Sequence, residues 1–207
     1  MTAIRRVLLV ASIAALLIAG GMLALMMVET RANHPTATAS NSTAGAAVGG
    51  PFTLVNGDGK PVTDRDYRGK LLLVYFGYTF CPDVCPTTLN NIAQALVQLG
   101  TQADAVTPVF ISVDPKRDTP KVIGSYVKSF DPRIVGLTGS DAQIAAVAKE
   151  YHVYYAPQPG QNGDYLVDHS SLVYIMDRDG KFLKVFAGSL SGVEMADAIK
   201  PFVGSGS

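Results

Sequence analysis

Leu71-Leu72-Leu73-Val74-Tyr75-Phe76-Gly77-Tyr78-Thr79-Phe80-Cys81-Pro82-Asp83-Val84-Cys85-Pro86 is an apolar run that leads straight into a turn holding both cysteines of the chain. Unbroken apolar character from Leu71 to Phe76, without polar alternation, marks a strand buried on both faces. Beyond the turn, Pro86 suits the first turn of a helix. Leu89, Ile92, Ala93, Leu96 and Leu99 then share one helical face, and Gly100 closes the segment. The sulfurs therefore lie between the C-terminal end of a central strand and a helix N-terminus. The helix dipole and unpaired N–H groups lower a thiol pKa at such a place. Pro82 and Pro86 lack backbone donors, so they shape the turn rather than feed it.

Working outward, Phe52 to Val55 and Pro61 to Thr63 flank Asn56-Gly57-Asp58-Gly59-Lys60 and read as a small hairpin. Val106 to Val113 reads as a second buried strand. Asp118-Thr119-Pro120 opens a helix to about Phe130, followed by a short strand over Ile134 to Leu137 and a helix over Asp141 to Tyr151. Leu172 to Met176 and Phe182 to Phe186 are strands joined by the turn Asp177-Arg178-Asp179-Gly180, and a last helix covers Val193 to Phe202. Parallel strands linked by helices and closed by a hairpin and a helix give an α/β, thioredoxin-like fold with an N-terminal β-hairpin.

The pair Cys81 and Cys85 admits three readings. Free cysteines are often plain buried residues. A structural staple is disfavoured by magnitude: so short a loop removes chain entropy of about 2 kcal/mol, against about 4.7 for a 100-residue loop. The third reading is chemical. Two thiolates four residues apart suit a soft metal such as Cu(I), or a reversible disulfide. A plain thioredoxin motif is Cys-x-x-Cys; the extra residue here spreads the sulfurs enough to admit an ion. Neither cysteine has the Pro-x-x-x-Thr-x-x-Cys context of a thiol peroxidase.

Two sulfurs underfill a transition-metal site, which directs attention to the histidines and methionines. His34 lies in a polar segment and reads as solvated. His152, within Tyr151-His152-Val153-Tyr154-Tyr155, reads as part of an aromatic packing cluster. His169, in Val167-Asp168-His169-Ser170, stands just before the strand Leu172 to Met176, where this architecture brings residues toward the cysteine turn. The pattern leaves His169 open between a ligand and an ordinary loop residue.

The chain has 207 residues and balances 17 basic against 17 acidic side chains, so there is no basic field to attract nucleic acid. Arg5-Arg6 precede an uncharged run from Val7 to Val28. As a helix this run reaches roughly 33 Å, which matches a hydrocarbon core of about 30 Å. The expected organisation is an N-terminal membrane anchor over 1–28, entering with its positive end cytoplasmic, a flexible linker over 29–50, the folded domain over 51–203 and a tail over 204–207. A cleaved signal peptide is the rival, with Ala19-Gly20-Gly21 as the cleavage site. The apolar sequence runs on through it to Val28, which favours the uncleaved anchor. The linker has no Leu, Ile or aromatic residue and builds no core; as a coil its ends lie roughly 25 Å apart.

Three motifs, Tyr78 to Pro86, Ser112-Val113-Asp114-Pro115-Lys116-Arg117-Asp118-Thr119-Pro120 and Asp164-Tyr165-Leu166-Val167-Asp168-His169, together resemble the Sco/SenC family over about Pro51 to Phe202. The resemblance implies copper, as Cu(I) and also Cu(II), held by Cys81, Cys85 and His169, with Cys81 and Cys85 also forming a redox disulfide. It gives His152 no role. It places Asp83 and Asp168 behind the ligands or in contact with a partner, although turn and cap chemistry explains both equally well. The implied function is a metallochaperone, with no catalytic residue, serving the copper A subunit of cytochrome c oxidase and in contact with other periplasmic copper chaperones. The implied location is the bacterial inner membrane, single-pass, with the domain facing the periplasm. A thiol–disulfide reductase that keeps the recipient's cysteines reduced is the alternative.

Overall fold

A computed structural model describes residues 47–160 and 165–204. The candidate anchor over Val7 to Val28, His34 and most of the expected linker lie outside the described residues. Among the described residues, no helix is long and apolar enough to cross a membrane.

The sheet is built on β3 (Leu71–Gly77), every residue of which is buried. It pairs in parallel with β4 (Val106–Ser112) and antiparallel with β8 (Leu172–Met176). The first hairpin is β1 (Thr53–Asn56) and β2 (Pro61–Thr63); β5 is Val135–Thr138 and β9 is Phe182–Ala187. The seven strands run in the order β2-β1-β5-β4-β3-β8-β9. Pro108 is tolerated in β4 because β5 pairs only with Val109 to Ile111, so the missing donor falls beyond that ladder.

Burial on both faces explains the continuous apolar reading of β3. Successive side chains point to opposite sides. On one face Phe76 meets Tyr151 and Tyr174, with ring centroids 5.3 and 6.3 Å away. On the other, Tyr75 meets Phe110 at 5.7 Å, and Phe110 meets Tyr126 at 5.9 Å. The helices are α1 (Val84–Leu99), α2 (Pro120–Lys128), α3 (Asp141–Glu150) and α4 (Gly192–Val203). Helices α2, α3 and α4 begin at hydroxyl caps, where Thr119, Ser140 and Ser191 accept from Val122, Gln143 and Glu194 N–H. Helix α1 packs on α4.

Three features differ from the expectation. Helix α1 begins at Val84, two residues before Pro86, so Cys85 lies within its first turn. Residues before Pro51 already join the fold: Val48 packs against the core, and Gly49 N–H donates to the Glu150 carbonyl at 2.7 Å. The largest difference is an additional hairpin of β6 (Tyr155–Pro159) and β7 (Tyr165–His169), which forms a two-stranded sheet of its own. Its sequence, with Pro157 and Pro159 in β6, lacks the apolar run that marks a strand.

Candidate metal centre

Each candidate ligand arrives by a different element. Cys81 sits in the turn after β3, where its N–H donates to the Tyr78 carbonyl at 3.3 Å. Cys85 points inward from the start of α1 and is wholly buried, while Cys81 is half-buried. Asp83 occupies the helix cap position but makes no side-chain cap bond. Cys81 Sγ takes that acceptor role instead, receiving the Cys85 N–H at 3.5 Å. Gly77 is required beneath the pair: a Cβ there would stand 2.6 Å from Cys85 Sγ and 2.8 Å from the Phe110 ring.

His169 ends β7 rather than standing in a loop, and reaches the sulfurs because only Ser170 and Ser171 separate it from β8, the neighbour of β3. Its Nε2 lies 3.3 Å from Cys85 Sγ, and its Nδ1 lies 3.3 Å from the Ser170 carbonyl. These partners assign the proton to Nδ1, donated to the carbonyl, and leave the Nε2 lone pair facing the sulfurs. The ring is held edge-on by Tyr78 and Tyr75, at 5.8 and 6.3 Å. The two Sγ atoms and a His169 ring nitrogen lie within 4.8 Å of one another. Among the described residues, no other group of three or more histidine, cysteine or acidic side chains converges this way.

The electrostatics divide the two thiols. The hydrogen bond from Cys85 is the main influence holding the Cys81 thiol well below its ordinary value; His169 and the backbone N–H groups of Cys85 and Asp83 act the same way against partial burial. Cys85 is pushed up, first by its bond with Cys81 and then by burial. The pair thus favours the negative charge at the half-exposed Cys81 and the proton at the buried Cys85. A metal ion entering between them displaces that proton and meets two soft sulfurs and one imidazole nitrogen. That donor set suits Cu(I).

The remaining sequence candidates fall outside this triad. The Asp83 side chain is exposed beside the cysteine turn. The Asp168 carboxylate is exposed on the opposite side of β7 from His169 and accepts from Gln158 Nε2 at 2.8 Å, a cross-hairpin bond. His152 has φ 53° and its Nε2 lies 3.2 Å from the Ala47 carbonyl.

Sequence reasoning missed the support around the triad. Asp118, wholly buried, accepts from Thr79 N–H (3.0 Å), Thr79 Oγ1 (2.6 Å) and Ser112 Oγ (2.6 Å), which fixes the cysteine turn to the end of β4. Val167 N–H donates to Tyr78 Oη at 3.1 Å. Asp114 accepts from Tyr165 Oη at 2.7 Å and from Arg117 Nε, and Arg117 Nη1 donates to the Tyr165 carbonyl at 2.9 Å. In the sequence this stretch shows only a family motif and the helix start at Asp118-Thr119-Pro120. Two acids flanking an arginine were the available signal, but their partners lie 39 and 51 residues away.

Comparison with known proteins agrees with this geometry. Residues 40–204 match the SCO1/SenC family. The human mitochondrial protein SCO1 homolog is 44% identical over 155 residues, which is 73% of this chain and 52% of that protein. The chain spans about half the length of the first curated relatives it matches. The structure of Bradyrhizobium japonicum ScoI with copper bound is similar at 48% identity and a TM-score of 0.71, over 75% of this chain and 99% of that one. BsSco, described as a member of the Sco family of cytochrome c oxidase assembly proteins in which a disulfide switch was identified, is similar at 26% identity and a TM-score of 0.61, over 77% of this chain and 95% of that one. With its thioredoxin-like domain matched along most of its length, this chain belongs to the SCO1/SenC family.

Proposed function

We propose that this protein is a membrane-tethered copper metallochaperone. Cys81 Sγ, Cys85 Sγ and His169 Nε2 hold one copper ion and pass it to the dinuclear copper A site of cytochrome c oxidase during assembly. The observation that carries the reading is the convergence of these three donors within 4.8 Å, with one sulfur half-exposed. A three-donor site with an accessible ligand exchanges metal, whereas a closed four-donor site retains it. Copper-bound relatives of 48 and 35% identity support copper as the cargo, and the description of BsSco supports oxidase assembly as the destination. The uncharged run Val7 to Val28 supplies the tether, holding the domain on the periplasmic face of the bacterial inner membrane beside the copper A subunit and within reach of other periplasmic copper chaperones.

The test has two parts. Metal analysis of the reduced protein should find one copper, lost on Cys81→Ser or Cys85→Ser. A strain lacking the protein should assemble the oxidase poorly when copper is scarce and recover on added copper. Membrane fractionation tests the tether: release of the chain by high salt would rule it out.

The division of the thiols favours a second reading, a thiol–disulfide reductase. The Cys81 thiolate attacks a disulfide of the recipient and forms a mixed disulfide, and Cys85 displaces it. The recipient leaves as a dithiol with two electrons gained, and Cys81–Cys85 is left oxidised. This chemistry does not need His169. Full oxidase assembly by a His169→Ala variant under copper limitation would therefore select the reductase and reject copper delivery.

A further inference from the structure

We propose that Arg117 is the positioning residue of the metal centre: its guanidinium clamps β7 to the cysteine turn and so sets where the His169 imidazole stands relative to the two sulfurs. The inference rests on the copper reading and extends it to a residue outside the ligand set.

The guanidinium carbon of Arg117 lies 3.7 Å from the Tyr165 ring centroid, 4.7 Å from that of Phe80 and 5.7 Å from that of Tyr78. Phe80 and Tyr78 belong to the cysteine turn, and Tyr165 opens the strand that His169 ends. One cation thus stacks against both ligand-bearing segments at once. Its hydrogen bonds repeat the pattern. Nη1 donates to the Tyr165 carbonyl at 2.9 Å, Nε donates to Asp114, and Asp114 also accepts from Tyr165 Oη at 2.7 Å. Asp114 is buried next to β4, so the clamp is anchored to the central sheet.

The strand transmits this placement. Tyr165, Val167 and His169 alternate onto one face of β7. Val167 N–H is held by Tyr78 Oη at 3.1 Å, so the strand is fixed at its first and third residues before its fifth reaches Cys85. Among the described residues the hairpin has no ladder to the main sheet, and these ties take the place of one. A lysine would keep the charge beside Asp114. It would lose the planar fork that stacks and donates in two directions together.

The experiment uses the full chain loaded with Cu(II), comparing wild type with Arg117→Met, Arg117→Lys, Lys116→Met and His169→Ala. It reads three signals: nitrogen hyperfine coupling from the imidazole, the sulfur-to-copper charge-transfer band, and copper release to a chelator. Arg117→Met should keep the charge-transfer band, lose nitrogen coupling and release copper about tenfold to a hundredfold faster. Arg117→Lys should shift the same way, while Lys116→Met should match wild type. Wild-type coupling and release in Arg117→Met, or full rescue by lysine, would overturn the clamp. Should Arg117→Met fail to fold, Tyr165→Leu removes the stack and the Asp114 bond and must show the same loss; wild-type coupling there overturns the proposal equally. His169→Ala separates the two levels. If nitrogen coupling survives in it, the ligand assignment itself is wrong. If coupling vanishes there but persists in Arg117→Met, only the clamp fails.

Discussion

Cys85 is wholly buried at the foot of α1 against β3, whereas His169 ends a hairpin whose other strand, β6, has no buried residue. The sulfur half of the site belongs to the core. Its turn follows the fully buried β3, lies over Gly77, and is tied by Asp118 to β4. The nitrogen half is fastened to the body by a few hydrogen bonds, one stacked arginine and the packing of Val167, Tyr155 and Tyr165 against the core. Among the β7 residues only Val167 is buried. Local opening free energies follow buried apolar contact, so the hairpin lies nearer the low end and the sulfur turn nearer the global stability. Under the proposed function this asymmetry suits transfer: the two sulfurs would keep the metal while the imidazole yields.

The strongest way to break the comparison is to remove a sulfur. Cys81→Ser or Cys85→Ser replaces a soft thiolate by a hard hydroxyl and should abolish tight Cu(I) binding, a loss beyond the roughly hundredfold that an outer partner costs. Chelator competition under reducing conditions measures it. Next, His169→Ala should weaken Cu(II) binding by about a hundredfold and Cu(I) binding less, since imidazole suits both oxidation states. Its urea midpoint should stay near wild type. Greater damage from His152→Ala would refute the assignment of the nitrogen donor.

Gly77→Ala attacks the core half directly. The added Cβ would stand 2.6 Å from Cys85 Sγ, with strand and ring on either side. We expect destabilisation of about 1–3 kcal/mol in equilibrium unfolding, together with weakened copper binding. A comparable methyl on the outer face of β6 should cost nothing measurable.

Asp118 sharpens the comparison through pH. Burial holds its carboxyl above the ordinary value of 3.8, against the bonds from Ser112 and Thr79. The folded state therefore binds more protons than the unfolded one just above pH 3.8, and stability from this group falls with rising pH in that window. The contribution is full below the unfolded value and lost as pH passes the folded one. The stability difference between wild type and Asp118→Asn should therefore decline with pH there and be flat below it. Urea midpoints across a pH series read this directly; a difference that rises with pH would reverse the sign. The smallest effect belongs to Asp168→Asn, which weakens one exposed bond to Gln158 and should change stability by less than about 0.5 kcal/mol. Copper affinity should also be unchanged, so reduced delivery in that variant would mark Asp168 as a partner contact.

The apolar run of β3 was legible because burial on both faces leaves no polar positions, and the cysteine turn because two sulfurs beside a helix start have few other uses. The expected bounds of α2, α3 and α4 agree with the observed helices to within about two residues, since helix signals are local. The family motifs point to His169 as the expected third donor, and the structure brings its ring to the two sulfurs. What no local pattern contained was the β6–β7 hairpin. Its strands hold two prolines and pair only with each other, so neither alternation nor a buried run announces them. The support at Tyr78, Asp114, Arg117, Asp118 and Tyr165 was hidden for a related reason. Each of these side chains reads locally as turn, cap or surface, and gains its role from partners 39 to 89 residues away. The two candidate sulfur donors are written in the chain itself, because cysteines this close beside a helix start have few other uses, whereas local pattern alone left His169 open. Ligand placement is a matter of which distant segments fold against one another, and only the tertiary structure decides that.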